Sequence, residues 1–563
     1  MNHNAQAQYT SAGTAAYAAI LDSAMQHKAA GAKGEALLDS VKQESHASLP
    51  KAMDELAAKF PAGAEGKLLD AVTIGAEMFR AKHGVLPTGD VIEAAIQQGQ
   101  AAFDGVGMTN EARKSMLDGV LNTASALRSD PQSLQPNRAV VATLTAIAEA
   151  IPFASYLPVD IGSNEAKLAI LRHTAGSAFG DYALGALMDG TNAGLAYTSS
   201  SRLVKFTMNA ALAVNSKFTT TNLAGDQGFC DPNGTGVPVL RGRTVVYVNG
   251  RVAARDAFQG SGATSPISGS VRIGSTDFSI TGAVTVATGA ITITPSAELP
   301  AGTVVYAEAF VDFETSPALA PLFSVNVDTF QLFANPWRGL TKVGMDSQTQ
   351  MSNELGLDPN AEAIISMRNQ FEAERHYLAL RKVAMLGKNL ERNINFEWAT
   401  RSAQMNRAQI FQDVQAQLLN IDQDMANATM DHGVTHYYVG SWLAGIFNSL
   451  PDTMFQSSGI TARAGIYRVG RLFNRYEIYY TPRVATQAAD LTSATMIGVG
   501  RASNVARCPI VLGDAVAPTF VDMATLTDFN KQAGIYGRNF TEVNPHDPSA
   551  LGCTLVNLSN LAA

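Results

Sequence analysis

The last third of the chain changes from a long helical segment to a series of short β segments, and few folds accommodate that order. Asp358 is well placed to cap a helix, because Pro359 follows it at the first helical position, where a missing N–H costs nothing. Apolar residues at helical spacing predict one packed face of a helix that runs to about Met385. These residues are Ile364, Met367, Phe371 and Leu378. A second helical segment is predicted from about Phe396 to Met425.

Short helices and strands alternate after His436. Residues 473–480 and 508–513 are rich in apolar and aromatic side chains, which predicts strands of a sheet that is buried by its neighbours. A long helix followed by such a mixed segment predicts an α+β fold.

Residues 236–313 have the pattern of a separate β unit. Asn249 and Gly250 lie between two apolar runs, and this dipeptide favours the φ > 0 turn that joins twisted hairpin strands. Alternating pairs follow at roughly ten-residue spacing, separated by Gly, Ser, Thr and Pro. The pairs are Val271/Ile273, Phe278/Ile280, Val284/Val286, Ile291/Ile293 and Val304/Tyr306. This spacing predicts a small antiparallel sandwich or barrel.

The N-terminal part of the chain has a helical composition. Residues 1 to about 130 are dominated by Ala, Leu, Lys, Glu and Gln, and Asp90 with Glu93 forms a capping box for one of the predicted helices. Composition predicts a linker at residues 130–137, and extended chain with strands from residue 139 to about 228. We therefore expect a small helical module or an extended arm at this end.

Composition disfavours several classes of protein. The 563-residue chain has a net charge of -8, with 46% hydrophobic and only 16% charged residues, whereas a dedicated nucleic-acid binder usually has a basic face. No secretion signal and no uncharged apolar stretch of about 18 residues is found, so we expect a soluble protein without a membrane segment. Cys230, Cys508 and Cys553 are too far apart for a disulfide framework or a zinc site, and we expect them to be buried.

No catalytic or cofactor-binding motif stands out in the sequence. Gly176–Gly180 has its serine in the wrong place for a hydrolase elbow, and no phosphate-binding loop is found. His432 and His436 form the only close histidine pair, but Gly433 between them predicts a loop, and no third ligand is near. We therefore expect no enzyme activity, no catalytic residue, no cofactor and no metal site.

Three segments and their order carry a resemblance to a known family. Leu355–Glu362 looks like the entry to a long helix, Asn474–Pro482 reads Asn-Arg-Tyr-Glu-Ile-Tyr-Tyr-Thr-Pro, and Cys508–Asp514 ends in Leu-Gly-Asp. Together they resemble the major capsid protein of tailed bacteriophages with the HK97 fold, in particular the T-even-type phages with contractile tails. The likeness covers about residues 150–235 and 314–545.

The resemblance implies a division of the chain into seven parts. An N-terminal helical region and arm lead to the first part of the capsid core, with one half of an extended loop that carries the inserted β domain. The loop then returns to a peripheral domain with a long "spine" helix, which is followed by a mixed axial domain and a C-terminal return to the peripheral domain. The N-terminal region and arm cover residues 1–138, the first part of the core with half of the loop covers 139–235, and the inserted β domain covers 236–313. The loop returns over residues 314–358. The peripheral domain covers 359–435, the axial domain 436–520 and the C-terminal return 521–563.

The function implied by the resemblance is structural. Such a protein assembles with itself into hexamers and pentamers, which form an icosahedral shell around phage double-stranded DNA. The implied partners are the portal, scaffold and decoration proteins of the same virus, and DNA contacted without sequence specificity, but no membrane. The protein would be made in the host bacterial cytoplasm and would reside in the virion.

Two covalent modifications known in the family bear on this sequence. Ile147-Ala-Glu149 followed by Ala150 matches the pattern cut by a prohead protease, although a chance match in an Ala-rich helix is the preferred interpretation. No lysine occurs between Lys217 and Lys342, which disfavours a lysine crosslink on the extended loop.

Two alternatives stay open at this point. An encapsulin-like nanocompartment shell protein would share the fold, but that family is typically much shorter. A bacterial surface or adhesive protein would explain the Thr-, Ser- and Gly-rich β unit, but the absence of a signal peptide disfavours it.

Overall fold

A computed structural model of the protein describes most of the chain. The described residues are 3–44, 49–61, 65–104, 131–159, 163–206, 214–220, 228–229, 234–257, 261–354, 359–523 and 530–561. They form a mixed α and β structure, which confirms the class of fold predicted from the sequence. The predicted helix cap Asp358 and the cysteine Cys230 lie outside the described residues.

The helices occupy both ends of the described chain and its centre. They are α1 (His3–Ala29), α2 (Glu35–Glu44), α3 (Lys51–Ala57), α4 (Gly66–His83), α5 (Gly89–Asp104), α6 (Pro131–Ala148), α7 (Met345–Glu354), α8 (Pro359–Gly387), α9 (Trp398–Arg401), α10 (Arg407–Thr429), α11 (Ser441–Asn448) and α12 (Asp547–Ala550).

The strands are concentrated after residue 150. They are β1 (Ser155–Tyr156), β2 (Glu165–Ala175), β3 (Ser201–Phe206), β4 (Val214–Lys217), β5 (Gly228–Phe229), β6 (Val245–Val248), β7 (Arg251–Asp256), β8 (Thr264–Ile273), β9 (Thr276–Thr285), β10 (Ala290–Pro295), β11 (Val305–Phe310), β12 (Phe323–Phe333), β13 (Asn335–Gly344), β14 (Glu391–Asn395), β15 (His436–Val439), β16 (Phe455–Ser457), β17 (Tyr467–Leu472), β18 (Tyr476–Tyr480), β19 (Ala494–Val499), β20 (Ile510–Met523), β21 (Asn530–Val543) and β22 (Cys553–Ser559).

The chain divides into two compact units. Unit 1 contains Met1–Ile170 and Thr329–Ala563, and unit 2 contains Leu171–Asp328. The chain leaves unit 1 within β2 and returns to it within β12, so unit 2 is inserted into the sequence of unit 1.

The N-terminal helices belong to the main hydrophobic core of unit 1. Leu69 of α4 and Ile96 of α5 are completely buried, in one cluster with Leu380 of α8 and Ile497 of β19. The described N-terminal residues are helical as predicted, but they form neither a module nor an arm apart from the rest of unit 1. The reason is that these helices bury their apolar faces on later parts of the chain.

The predicted linker at residues 130–137 is also wrong. Helix α6 begins at Pro131, which is tolerated in a first helical turn because its missing N–H would be unpaired there in any case. Further along α6, Ala139 and Ile147 are completely buried in the core of unit 1. The Pro, Ser and Asn residues of this segment therefore belong to the start of a helix and not to a linker.

A four-stranded sheet of unit 1 has the order β1-β20-β21-β13. Strands β20 and β21 form a long antiparallel pair, and β13 pairs with β21 along its whole length. The predicted strand at residues 508–513 overlaps the start of β20. It therefore belongs to this four-stranded sheet and not to the seven-stranded sheet that contains β15 to β19.

A seven-stranded sheet of unit 1 has the order β14-β22-β19-β15-β18-β17-β16. Helix α10 covers it, with Phe411 and Leu418 packed in one cluster with Tyr437 and Ile478 of the sheet. Strand β22 lies inside this sheet, whereas β21 lies in the four-stranded one. Residues 521–563, predicted to return to the peripheral domain, are thus divided between two sheets of unit 1.

The predicted helix from about residue 396 to 425 is interrupted. Helix α9 ends at Arg401, and α10 begins at Arg407. Asn406 caps α10, since its side chain accepts a hydrogen bond from the Gln409 backbone at 2.9 Å while the Gln409 side chain accepts one from the Asn406 N–H at 3.0 Å. Such a reciprocal pair fixes a new helix start.

Unit 2 is built on a nine-stranded sheet with the order β4-β10-β9-β8-β7-β6-β11-β3-β5. The predicted hairpin is present between β6 and β7, where Asn249 (φ 48°) and Gly250 (φ 76°) form the turn. The predicted lower boundary at residue 236 is wrong, because β3, β4 and β5 belong to the same sheet. Strands β3 and β4 pair with β11 and β10, which lie far along the chain, and local sequence does not reveal such pairing.

Candidate functional site: an exposed apolar stripe

Strands β2 and β12 form a two-stranded ribbon with no further strand paired to it among the described residues. In unit 2 one side of this ribbon is held by polar contacts. Arg172 of β2 pairs with Asp328 of β12 at 2.6 Å, and the Asn326 side-chain amide donates to the Thr174 hydroxyl at 2.9 Å. Because Asn326 and Asp328 face β2 on this side of the ribbon, the alternate residues of β12 face the opposite side.

The other side of β12 is an apolar stripe open to solvent, formed by Phe323, Val325 and Val327. Their exposed fractions are 55%, 58% and 39%. One edge of the stripe is anchored, because the Phe323 ring meets Tyr197 edge-on with 5.2 Å between ring centroids. Apolar residues at every second position normally face a core. Here the described part of the chain does not cover them.

Unit 1 exposes further large apolar side chains. Phe333 of β12, Leu340 of β13 and Met385 of α8 are each more than half exposed. Leu340 lies on β13, which is the edge strand of the four-stranded sheet. An edge strand with an exposed apolar side chain is open to pairing or packing with another molecule.

Helix α8 lies against the four-stranded sheet, as its sequence pattern predicts. The Phe371 ring meets Trp337 of β13 edge-on, with 5.0 Å between centroids, and Met367 lies beside Gly339 of the same strand. Asn369, on the opposite face, is exposed. The third predicted core residue, Ile364, has a side chain outside the described set.

Phe371→Ala is expected to destabilise the unassembled protein by about 2 kcal/mol. A fully buried phenylalanine costs about 3–5 kcal/mol when truncated, and Phe371 is only half-buried. Circular dichroism during urea unfolding would measure this loss. Asn369→Ala is the control, with an expected cost under about 0.5 kcal/mol because the residue is exposed. Equal small effects would mean that Phe371 is not packed.

A long basic side chain on a half-buried helix commonly packs its apolar stem and extends its charged head into water. In Arg375, one turn further along α8, the guanidinium instead pairs with the buried Asp514 of β20 at 3.0 Å and lies 5.8 Å from the centre of the Tyr156 ring. Gln98 of α5 also donates to Asp514, at 2.6 Å. Burial raises the pKa of Tyr156 to about 12, so the phenol stays neutral.

A second buried ion pair ties α5 to the C-terminal part of unit 1. Arg501 pairs with Asp90 at 2.8 Å, and the Asp90 side chain is only 3% exposed. The same guanidinium donates to the backbone carbonyls of Pro152, at 2.9 Å, and Ala154, at 2.6 Å. The sequence predicts only a helix-capping role for Asp90. The local pattern around Asp90 does not indicate that Arg501 is its partner.

The predicted histidine pair is divided between two environments. His432 lies in an irregular segment, as predicted, but His436 begins β15. Burial lowers the pKa of His436 to about 3, which keeps its ring neutral. Within the described residues, no group of three or more potential ligands is arranged to hold a metal ion.

His436 belongs to a buried cluster that the sequence did not reveal. His83 of α4 lies 3.1 Å from the Tyr479 hydroxyl, and His376 of α8 lies 3.1 Å from the Tyr438 hydroxyl. The two tyrosine rings stack at 5.2 Å, and His436 lies 5.8 Å from Tyr479. The three histidines come from distant parts of the chain, so no spacing in the sequence marks them.

The remaining predicted positions are also located. Cys508 and Cys553 are buried, as expected. Glu149 and Ala150 follow directly after α6, and Ala150 is only 3% exposed, with Ile147 and Ile151 buried on either side. One side of the bond between Glu149 and Ala150 is therefore buried, and Glu149 itself is partly exposed. In the described part of the chain, no helix combines the length and apolar character needed to cross a membrane.

Comparison with known proteins gives matches to solved structures. No family model matches the chain, and no curated protein matches it significantly. The capsid of jumbo bacteriophage PhiKZ matches with 9% identity and a TM-score of 0.35, over 72% of this chain and 91% of that chain. The capsid of Myoviridae phage XM1 matches with 9% identity and a TM-score of 0.25, over 58% and 90%.

An encapsulin is also among the matches. The SrpI encapsulin complex from Synechococcus elongatus matches with 8% identity and a TM-score of 0.25, over 42% of this chain and 78% of that chain. The three structures described here are thus two phage capsids and one encapsulin complex.

Proposed function

We propose that the protein is the major capsid protein of a tailed bacteriophage, a structural building block without enzyme activity. The observation that carries this proposal is the apolar stripe of Phe323, Val325 and Val327. A monomeric protein would gain by covering these side chains itself, since full burial of each is worth about 1.5–3 kcal/mol. A subunit of a shell leaves such a surface for its neighbour.

The stripe lies on a ribbon of only two strands, and such a ribbon is stabilised by packing against another surface. Two strands alone form a marginal sheet in water, and packing against another surface makes such a pair stable. In a closed shell each subunit presents the same surfaces, so one stripe meets one complementary patch on the next copy, repeated by symmetry. We infer that the stripe forms part of a contact between copies, with more than about 1,000 Å² buried in total.

The finer assignments follow from the resemblance in the sequence and are part of the proposal. Helix α8 corresponds to the spine helix of the HK97 fold, and the ribbon of β2 and β12 corresponds to the extended loop that carries the inserted unit. Subunits assemble into hexamers and pentamers of an icosahedral shell around double-stranded DNA. Portal, scaffold and decoration proteins of the same virus are the expected partners, and the protein is made in the host bacterial cytoplasm.

Val325→Asp is expected to prevent assembly of the purified chain. An aspartate at a buried contact must either lose its hydration or push the neighbouring copy away, and each copy in the shell repeats that cost. Negative-stain microscopy and light scattering should give rings or closed shells for the unchanged protein and single subunits for the variant. Intact mass of the shells should show the chain uncut between Glu149 and Ala150.

The matched control is Val252→Asp, which introduces the same charge at an exposed valine of β7 in unit 2. It should assemble normally, and circular dichroism should show both variants folded. A protein that stays monomeric at high concentration, or a Val325→Asp variant that assembles as well as the control, would contradict the proposal. Double-stranded DNA inside shells isolated from infected cells would distinguish a virion from an encapsulin-like compartment.

A further inference from the structure

Unit 2 contains a cleft that the proposed assembly does not use. It has a volume of about 620 Å³, within the range of small-molecule sites. Its floor is the sheet formed by β3, β11 and β6, and one wall is the loop of residues 194–199. The buried side chain of Tyr197 holds this loop in place, since its hydroxyl donates to the Leu322 carbonyl at 2.7 Å. The cleft is therefore built on rigid elements.

Two tyrosines form an aromatic platform on this floor. Tyr247 of β6 and Tyr306 of β11 are direct cross-strand partners, so their side chains stand next to each other on one face of the sheet. Both line the cleft and are partly exposed. Neighbouring tyrosine rings offer a broad apolar surface with polar edges.

A carboxylate is fixed beside this platform. Glu308 accepts a hydrogen bond from the Tyr247 hydroxyl at 2.9 Å on one oxygen, and from the Ser201 hydroxyl at 2.8 Å on the other. Each carboxylate oxygen has a second acceptor position. Because two neutral donors hold it in place, Glu308 offers acceptors of fixed direction to a further donor at the cleft.

Charge restricts the class of ligand. No lysine or arginine is among the residues that line the cleft in the described part of unit 2, and Glu308 repels anions, so phosphate and nucleic acid fit poorly. A cationic ligand is disfavoured as well, because Lys205 of β3 is the direct cross-strand partner of Tyr306 and shares its face of the sheet. A neutral ligand with an apolar face and several hydroxyl groups suits this combination.

We propose that the cleft binds a neutral saccharide. One pyranose ring lies with its C–H face on Tyr306 and Tyr247, and its hydroxyl groups donate to Glu308. None of the three stripe residues lines the cleft, although Tyr197 of its wall contacts Phe323 of the stripe. Failure of saccharide binding would therefore leave the capsid proposal intact, and failure of assembly would leave the cleft intact.

The test uses the full chain with saturation-transfer NMR against a panel of neutral oligosaccharides that includes maltotriose, triacetylchitotriose and a galactose trisaccharide. At least one is expected to bind. Glu308→Gln should weaken that binding by roughly tenfold or more, since it removes a charged acceptor. Glu314→Gln, an exposed carboxylate of unit 2 that does not line the cleft, is the matched control and should leave binding unchanged.

A pair of variants at Tyr306 tests the platform. Tyr306→Phe keeps the ring and should retain most of the affinity, whereas Tyr306→Leu should lose roughly tenfold. Absence of signal from the whole panel would overturn the proposal, as would equal binding by the Glu308→Gln variant. Binding of tetramethylammonium in place of the saccharides, weakened by added salt, would also overturn it and identify a cation site.

Discussion

Arg501→Ala is expected to destabilise unit 1 by about 3–5 kcal/mol, since removing one partner of a buried ion pair leaves the other charge unpaired. Asp90 is only 3% exposed, and it would keep hydrogen bonds from Tyr156 N–H, at 3.0 Å, and from the Thr88 hydroxyl, which do not neutralise its charge. The carbonyls of Pro152 and Ala154 would also lose their donor.

Urea unfolding followed by circular dichroism would measure this loss, and hydrogen exchange would locate it. Amides of α5 should exchange faster in the variant, because the ion pair joins Asp90 of that helix to the segment after β19. Arg392→Ala is the matched control. Its guanidinium forms an exposed pair with Asp424 at 2.8 Å, so the expected cost is under about 1 kcal/mol. A cost for Arg501→Ala no larger than this control would show that the buried pair does not hold the N-terminal helices in place.

Stability of the unassembled protein is expected to fall steeply as the pH drops from about 6.5 toward 5. Burial lowers the pKa of His376 and of His436 to about 3, and burial is also the main cause that lowers the pKa of His83 well below its usual value. Cationic neighbours act in the same direction, Lys82 and Arg463 on His83, and Arg501 and Arg468 on His436.

The direction of this pH effect on stability follows from the number of protons that the folded and unfolded states bind. Between pH 6.5 and about 3 the unfolded chain protonates His376 and His436 while the folded protein does not, so protons favour unfolding. Above pH 6.5 both states are neutral and the effect vanishes. Each of these two histidines should therefore remove roughly 2 kcal/mol of stability at pH 5 relative to neutral pH, and His83 acts in the same direction.

Replacing one histidine should make the pH dependence shallower. In His376→Gln the side chain can still bond to the Tyr438 hydroxyl but cannot take up a proton, so the slope below pH 6 should fall by about 1.4 kcal/mol per pH unit. Asn369→Ala, at an exposed residue of α8 that does not titrate, is the control and should leave the slope unchanged. If both variants keep the slope of the unchanged protein, the buried histidines are not its source.

Local patterns in the sequence predicted individual elements well. Pro359 opens α8, and the face that contains Met367 and Phe371 contacts β13, because helical spacing alone decides which residues share a side. The turn at Asn249 and Gly250 was equally predictable, since few dipeptides adopt two successive positive φ angles. The interruption before α10 was missed, although Asn406 and Gln409 stand at the spacing of a capping pair.

Boundaries between larger parts were predicted less well. Residues 130–137 resembled a linker because Pro, Asn, Gln and Ser favour turns, but Pro131 also suits a first helical turn. Strand β3 pairs with β11, about a hundred residues later, so the limit of unit 2 depends on contacts that no local window contains. The same holds for β22, which pairs with β14 and β19 in a different sheet from its neighbour in sequence, β21.

The sequence by itself determined the mixed fold class, the packed face of α8 and the hairpin of unit 2, since each depends on the period and turn chemistry of neighbouring residues. Only the tertiary structure decided which charges and histidines are buried and which apolar residues are not. Arg501 meets Asp90 across 411 positions of sequence, and the cluster of Tyr438 and Tyr479 collects histidines from three separate elements. The stripe on β12 alternates like any half-buried strand. Whether such a strand faces a core or a neighbouring molecule depends on what the rest of the chain covers, because burial is a property of the packed assembly and not of the residue pattern.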